Sequence, residues 1–354
     1  MLALAAALAL VSGPAQSAED ARPRYSFVVA GHLRGNANGE IPREVEDLVS
    51  EIERLAPDLV FLTGDLIWGD IFNPGPQTDA EALRADWERL DASFARLSCP
   101  VYRVPGNHDI SDATSRQVWT ERYGELDRSF EFQGSRFLLL CSSWLPPGDG
   151  QERLPPSFVR GRQLTSEQVD FVRREMEAAR DADHVFVLMH HLLWWKDPSP
   201  WWRDVHPLLA AGPTRAVFAG DLGPWKFSHL ERDGIDYVQS TLELTLPVLR
   251  MRQNREGSRM ISEQLDNYLY VSIDGPDVRI EVRTLGAVSN AKMTPAVYRE
   301  VHEFDAGTFQ SKVFKRVNTP ERAVRWLAIA GCAGMGIGLA GGALLALLFT
   351  RRAR

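Results

Sequence analysis

Cysteine is scarce, three residues in 354, which excludes a body stapled by a disulfide framework. Basic residues are not in excess either: 40 Lys and Arg against 47 Asp and Glu leave a net charge of −7. No nucleic-acid binding through a basic face is therefore expected. Glycine (27) and proline (21) are near ordinary usage, which excludes collagen-like and linker-dominated chains. No internal repeat or low-complexity run is present. What is there is ordinary globular stock, 44% hydrophobic and 25% charged, too apolar for a mostly disordered chain. Cys99 and Cys141 sit beside apolar runs, where a lone cysteine behaves as a small buried hydrophobe, although an oxidising compartment would let the two pair.

The two ends differ from the body. Residues 1–12 are almost wholly apolar, and Gly13-Pro14-Ala15-Gln16-Ser17-Ala18 follows. This layout predicts a secretory signal peptide over residues 1–18, without the usual positive start. Trp326 to Phe349 is an uncharged run of 24 residues. As a helix it is about 36 Å long, enough to span a bilayer core. Arg351, Arg352 and Arg354 close the chain, predicting a basic cytoplasmic tail over residues 350–354 and a body outside the cytoplasm. Lys315, Arg316, Arg322 and Arg325 on the other flank weaken that vote, so the orientation rests mainly on the signal peptide. The expected localisation is the cell membrane, by a single pass. Gly334, Gly338 and Gly342 share one helix face and would permit a homodimer contact. Residues 286–325 lack clear periodicity and read as a stalk or packing arm.

Between the ends, short apolar runs alternate with amphipathic stretches. Strands are expected at 25–30, 58–63, 101–104, 136–141, 184–189 and 215–219, and helices at 41–55, 80–97 and 166–179. Later runs at 237–240, 268–273 and 278–282 follow one another without long helices, as antiparallel strands do. The fold class is α/β.

Five of these strands end in chemistry. Gly31 precedes His32, Gly64 precedes Asp65, Gly106 precedes Asn107-His108-Asp109, Met189 precedes His190-His191, and Gly220 precedes Asp221. In α/β sheets the carboxyl ends of strands are where ligands bind. At four of the five a glycine before the polar residue lets the backbone turn sharply into a shared cleft. One Gly-Asp pair is a common turn; five such junctions are a pattern.

Gly64-Asp65 with Asp70, the block Gly106-Asn107-His108-Asp109, and a strand ending in His190 resemble the calcineurin-like metallophosphoesterases, over roughly residues 25–285. The resemblance implies a four-layer α/β/β/α sandwich, divalent metal ions and hydrolysis of phosphate esters. It implies that Asp65 bridges two metals, that Asn107 and His190 bind the second, and that His108 assists the leaving group. The family's first block reads Asp-x-His, where this chain holds His32 and Arg34, followed by Gly35-Asn36. Its last block reads Gly-His-x-His, where this chain holds Gly220-Asp221-Leu222-Gly223.

His32 and Asp221 are still ligand types. The second metal site keeps Asp65, Asn107, His190 and Asp221, a set suited to Mn, Fe, Zn or Mg. The first keeps only His32 and the shared Asp65, with a permanent charge on Arg34 beside it. One metal is therefore expected rather than two, with Arg34 clamping a phosphate oxygen. Asp109 is expected either to orient His108 or to cap the next helix, and His191 to line the cleft and touch substrate. Trp194, Trp201, Trp202 and Trp195 could stack a base or sugar, lie on a membrane, or simply pack. Asp70 and residues 71–79 are a loop at the rim. The expected activity is hydrolysis of a phosphate mono- or diester, small-molecule or lipid-linked; the alternative is a non-catalytic domain that binds a phosphorylated ligand.

Overall fold

The computed structural model describes residues 24–35, 39–69, 79–143, 163–221, 226–242, 266–285 and 292–293. The signal segment, Asn36, Asp70, residues 71–78, Gly223, most of the stalk, the 326–349 run with its glycine face and the tail lie outside them. Among the described residues, no helix is long and apolar enough to cross a membrane.

In chain order the elements are β1 (Arg24–Ala30), α1 (Arg43–Leu55), β2 (Leu59–Thr63), α2 (Ala80–Phe94), β3 (Val101–Val104), α3 (Ala113–Tyr123), β4 (Arg128–Phe132) and β5 (Ser135–Leu139). Then come α4 (Ser166–Ala178), β6 (His184–Met189), a π-helical turn (Trp201–Val205), α5 (His206–Ala210), β7 (Thr214–Ala219), β8 (Phe227–Arg232), β9 (Ile235–Ser240), β10 (Asn267–Asp274), β11 (Asp277–Thr284) and β12 (Lys292–Met293). They form two six-stranded sheets, ordered β12-β11-β10-β1-β2-β3 and β4-β5-β6-β7-β9-β8. Within each sheet the strands that carry the polar ends run parallel to one another: β1 with β2, β2 with β3, and β6 with β7.

Alternation along β1 explains the layering. Phe27 and Val29 face the other sheet, whereas Val28 and Ala30 face α1 and α2. Between the sheets lies an aromatic layer: the Phe27 ring centroid is 5.5 Å from those of Phe61 and Phe137, 5.1 Å from Phe186 and 6.0 Å from Phe218. Helices α1 to α3 cover the outer face of the first sheet, and α4, α5 and the π-helical turn cover that of the second. This is a mixed α/β fold built on two sheets, with helices on both outer faces. A side-chain bond also crosses between the sheets: His184 Nε2–H, at the start of β6, donates to the carbonyl of Gly275 in the β10–β11 turn at 2.8 Å.

Besides the short α5, π-helical turn and β12, three elements escape the periodicity. Edge strands β4 and β8 are largely half-buried or exposed, and α3 buries only Ser115, Val118 and Trp119, so none shows a long apolar stripe. Helix α3 is instead set by its cap. The Asp112 carboxylate accepts from Ser115 N–H at 2.7 Å, and Ser115 Oγ accepts from Asp112 N–H at 3.0 Å. Asp112→Ala is expected to lower stability by roughly 1–2 kcal/mol in urea unfolding. Cys99 and Cys141 are free thiols. Three of the four tryptophans near Pro198 pack inward around Tyr237, with ring centroids 5.3 Å (Trp194), 6.3 Å (Trp201) and 5.1 Å (Trp202) away; Trp195 alone of these is exposed, at 46%.

Candidate metal centre

The carboxyl ends of β1, β2 and β3 from one sheet meet those of β6 and β7 from the other. The turns there are too tight for ordinary residues. A Cβ on Gly64, whose φ is +82°, would lie 2.5 Å from His190 Nδ1, and one on Gly106 would lie 2.2 Å from Asp65 N. His32 and Asp65 themselves hold left-handed backbone, φ +64° and +52°, a conformation of non-glycine residues that functional sites collect. It is kept by paired backbone bonds, His32 N–H to Gly64 O at 2.8 Å and Arg34 N–H to Asp65 O at 2.9 Å.

Asp65 is the hub, and its two oxygens face different company. Oδ1 lies 3.2 Å from His190 Nε2 and accepts from His108 N–H at 3.0 Å. Oδ2 lies 3.4 Å from His32 Nε2, 3.5 Å from Arg34 Nε and 3.9 Å from His108 Nε2. Burial alone would raise the Asp65 carboxyl, but His190, His108, His32 and Arg34 together hold it well below the usual carboxylate range. Burial, with Arg34 adding to it, pushes the His32 imidazole well below its ordinary value against the pull of Asp65. Burial likewise lowers His108. His190 goes the other way: burial depresses it, yet Asp65 and Asp221 outweigh that and raise it.

On the Oδ1 side, His190 Nδ1–H donates to the Thr63 carbonyl at 2.9 Å, which leaves Nε2 facing Asp65 and, at 3.7 Å, Asp221 Oδ1. His191 follows the same plan, with Nδ1 3.0 Å from Ser142 Oγ and Nε2 3.1 Å from Asn107 Oδ1. Ring nitrogens of His190 and His191 and an oxygen of Asp221 all lie within 4.8 Å of one another.

Residues 39–238 match the family model of the calcineurin-like phosphoesterases. The chain belongs to that family. The match begins after the first strand end, so it leaves out His32 and Arg34. Among solved structures, a dimetal phosphatase from Danio rerio is similar at 16% identity, over 77% of this chain and 99% of that one, with a TM-score of 0.54. A purple acid phosphatase from yellow lupin (Lupinus luteus) seeds has 11% identity over 74% and 51% of the two chains, TM-score 0.46. GAP50, the anchor in the inner membrane complex of Plasmodium, has 8% identity over 80% and 95%, TM-score 0.49. At these identities the likeness concerns the fold alone. No curated protein matches.

Calcineurin-like phosphoesterases bind divalent metals, and the residues here fit such an ion. His190 Nε2 is buried without a hydrogen bond although it faces two carboxylates. His190 Nε2 stands 3.2 Å from an Asp65 oxygen and 3.7 Å from one of Asp221, near the roughly 3.0–3.5 Å between ligand atoms around one ion with bonds of about 2.1 Å. His190 points Nε2 toward the centre and ties Nδ1–H to the Thr63 carbonyl, the arrangement that orients ligating imidazoles.

For Asp109 the outcome differs from both expectations. It neither orients His108 nor caps α3, which Asp112 caps. Its carboxylate accepts from Leu66 N–H (2.9 Å), Ile67 N–H (3.2 Å) and Gly106 N–H (2.7 Å), locking the loop after β2 to the loop after β3. Burial and then Asp65 push its carboxyl up to about 7, against the backbone bonds that favour the ionised form. His108 is oriented by Trp68, whose carbonyl accepts from Nδ1–H at 2.6 Å. The Trp68 ring also flanks the Arg34 guanidinium at 5.2 Å. Thr63 and Trp68 sit beside Gly64-Asp65 in the chain and could have been sought there; Ser142 carries no sequence signal of its task.

Proposed function

We propose that this family member is a phosphoesterase that works with one divalent ion, held by Asp65, Asn107, His190 and Asp221, with Arg34 in place of a second ion. One observation carries the reading: Arg34 Nε lies 3.5 Å from the outer oxygen of Asp65. A second ion bridged by that oxygen would have to share its place with the guanidinium. At an effective dielectric near 20, unit charges about 4 Å apart interact by about 4 kcal/mol, and a divalent ion roughly doubles that. His32, held neutral by burial, adds no further charge on that side.

The ion supplies Lewis acidity toward a phosphoryl oxygen and water. The rest falls to the chain. Arg34, steadied against Trp68, binds a phosphoryl oxygen and offsets the negative charge that grows there. With Nδ1–H committed to Trp68, His108 is left with Nε2 as the atom that takes or gives a proton at the leaving oxygen. His191 keeps Asn107 turned into the centre and borders the substrate. The apolar 326–349 run supports a place at a membrane and the signal-like residues 1–18 a body outside the cytoplasm, where lipid-linked as well as soluble phosphate esters are within reach.

The test is metal content and hydrolysis on one preparation of the full chain in detergent, with aryl phosphate mono- and diesters and added Mn, Zn or Mg. About one metal per chain, with turnover abolished by Asn107→Ala, is expected. Two metals with turnover would overturn the role given to Arg34. No metal and no turnover would point to the non-catalytic phosphate binder.

A further inference from the structure

Asp221 is the least sheltered of the groups facing His190: its side chain is 30% accessible, against 3% for Asp65. Its backbone, however, is gripped from the side by the chain leaving β9. Gln239 Nε2 donates to the Asp221 carbonyl at 2.9 Å. Thr241 Oγ1 lies 2.9 Å from the same carbonyl and 3.1 Å from that of Gly220. One residue further, Leu242 N–H donates to the Gly31 carbonyl at 3.1 Å, next to His32. Residues 239–242, all fully buried, thus tie down both strand ends at which this chain departs from its family's pattern.

The strap is anchored in turn. Thr241 N–H donates to the Lys226 carbonyl at 3.0 Å, and Asn267 Nδ2 donates to that carbonyl at 3.0 Å. Ser240 Oγ is 2.9 Å from Asn267 Oδ1. The wholly buried Lys226 ammonium pairs with Asp266 at 2.6 Å. A buried polar network with its members satisfied rigidifies and specifies one arrangement. An aspartate has a single methylene between backbone and carboxylate, so its oxygen follows its backbone closely.

We propose that Gln239 and Thr241 are positioning residues for Asp221: by fixing its carbonyl they hold its carboxylate beside His190 and so set the affinity for the divalent ion. The inference rests on the reading of Asp221 as a ligand. It is tested by calorimetric titration of the full-length protein with Mn2+, alongside its metal-free melting temperature. Thr241→Val keeps the shape and removes the hydroxyl; it is expected to weaken Mn2+ binding about 10- to 100-fold, with Thr241→Ser restoring it. Gln239→Met removes the other donor and is read the same way should the valine variant not fold. In an Asp221→Ala background the Thr241→Val loss should vanish, because the hydroxyl acts through Asp221.

Unchanged Mn2+ affinity in Thr241→Val and Gln239→Met, with only the melting temperature lowered, would overturn the positioning role while leaving Asp221 a ligand. An undiminished loss in the Asp221→Ala background would overturn it too. Unchanged affinity in Asp221→Ala itself would overturn both the role and the reading beneath it.

Discussion

Asp65→Asn is expected to abolish turnover and to lower the stability of the metal-free protein by about 3–5 kcal/mol in urea unfolding. Little of that cost comes from shape. Asparagine tolerates the left-handed backbone of residue 65, and its oxygen can still accept from His108 N–H. What disappears is the one carboxylate that His190, His108, His32 and Arg34 all face. Arg34, whose side chain is only 10% accessible, would lose the carboxylate that its Nε faces at 3.5 Å. Adding Arg34→Met to Asp65→Asn should therefore recover part of the lost stability and none of the activity. A single variant as stable as the parent, or a double variant no more stable than the single, would show that the Asp65 charge is not balanced by Arg34.

Asp109→Ala should be nearly as damaging, although Asp109 touches no reacting group. It strands three buried backbone N–H groups, those of Leu66, Ile67 and Gly106, at about 1–3 kcal/mol each. Relief of a buried carboxylate, evident in its raised pKa, offsets part of this, so a net loss of about 3 kcal/mol is expected. Asp109→Asn keeps an oxygen for Leu66 and Ile67 but turns its amide donor toward the Gly106 N–H, so it should fall between. The order parent, Asp109→Asn, Asp109→Ala should appear in melting temperature and again in metal retained per chain, because the loop being released carries Asp65. Equal melting temperatures for parent and Asp109→Ala would show that these bonds contribute nothing to the fold.

The contrast between Asp65 and Asp109 shows what a sequence can and cannot display. Strands β1, β2, β6 and β7 are readable because burial on both faces makes them continuous apolar runs. The polar residues that break those runs are conspicuous for the same reason. Asp109 stands in the same block as Asn107 and His108, yet two of its three partners are backbone N–H groups of a loop more than forty positions away. Every residue but proline carries that donor, so no side-chain pattern announces the pairing. Ser142 is hidden likewise, since its hydroxyl meets His191 only through the pairing of β5 with β6. Edge strands β4 and β8 carry half-exposed faces, and a mixed face has no period to detect. Asp112, by contrast, advertises α3 only through the serine three places on, a signal easily lost in a polar stretch.

Strand β6 is pinned at both ends. His184 at its start is bonded to the β10–β11 turn, and His190 just past its end is bonded to the Thr63 carbonyl at the tip of β2. Both acceptors belong to the opposite sheet, and the strand between is fully buried. The two sheets therefore cannot slide along this strand without breaking one tie or the other. An aromatic layer resists separation but tolerates small lateral shifts; two directional bonds at opposite ends do not. The spacing between Asp65 and His190 is in this sense inherited from the whole length of the sandwich, from a turn at its far end as much as from the loops that carry the two residues.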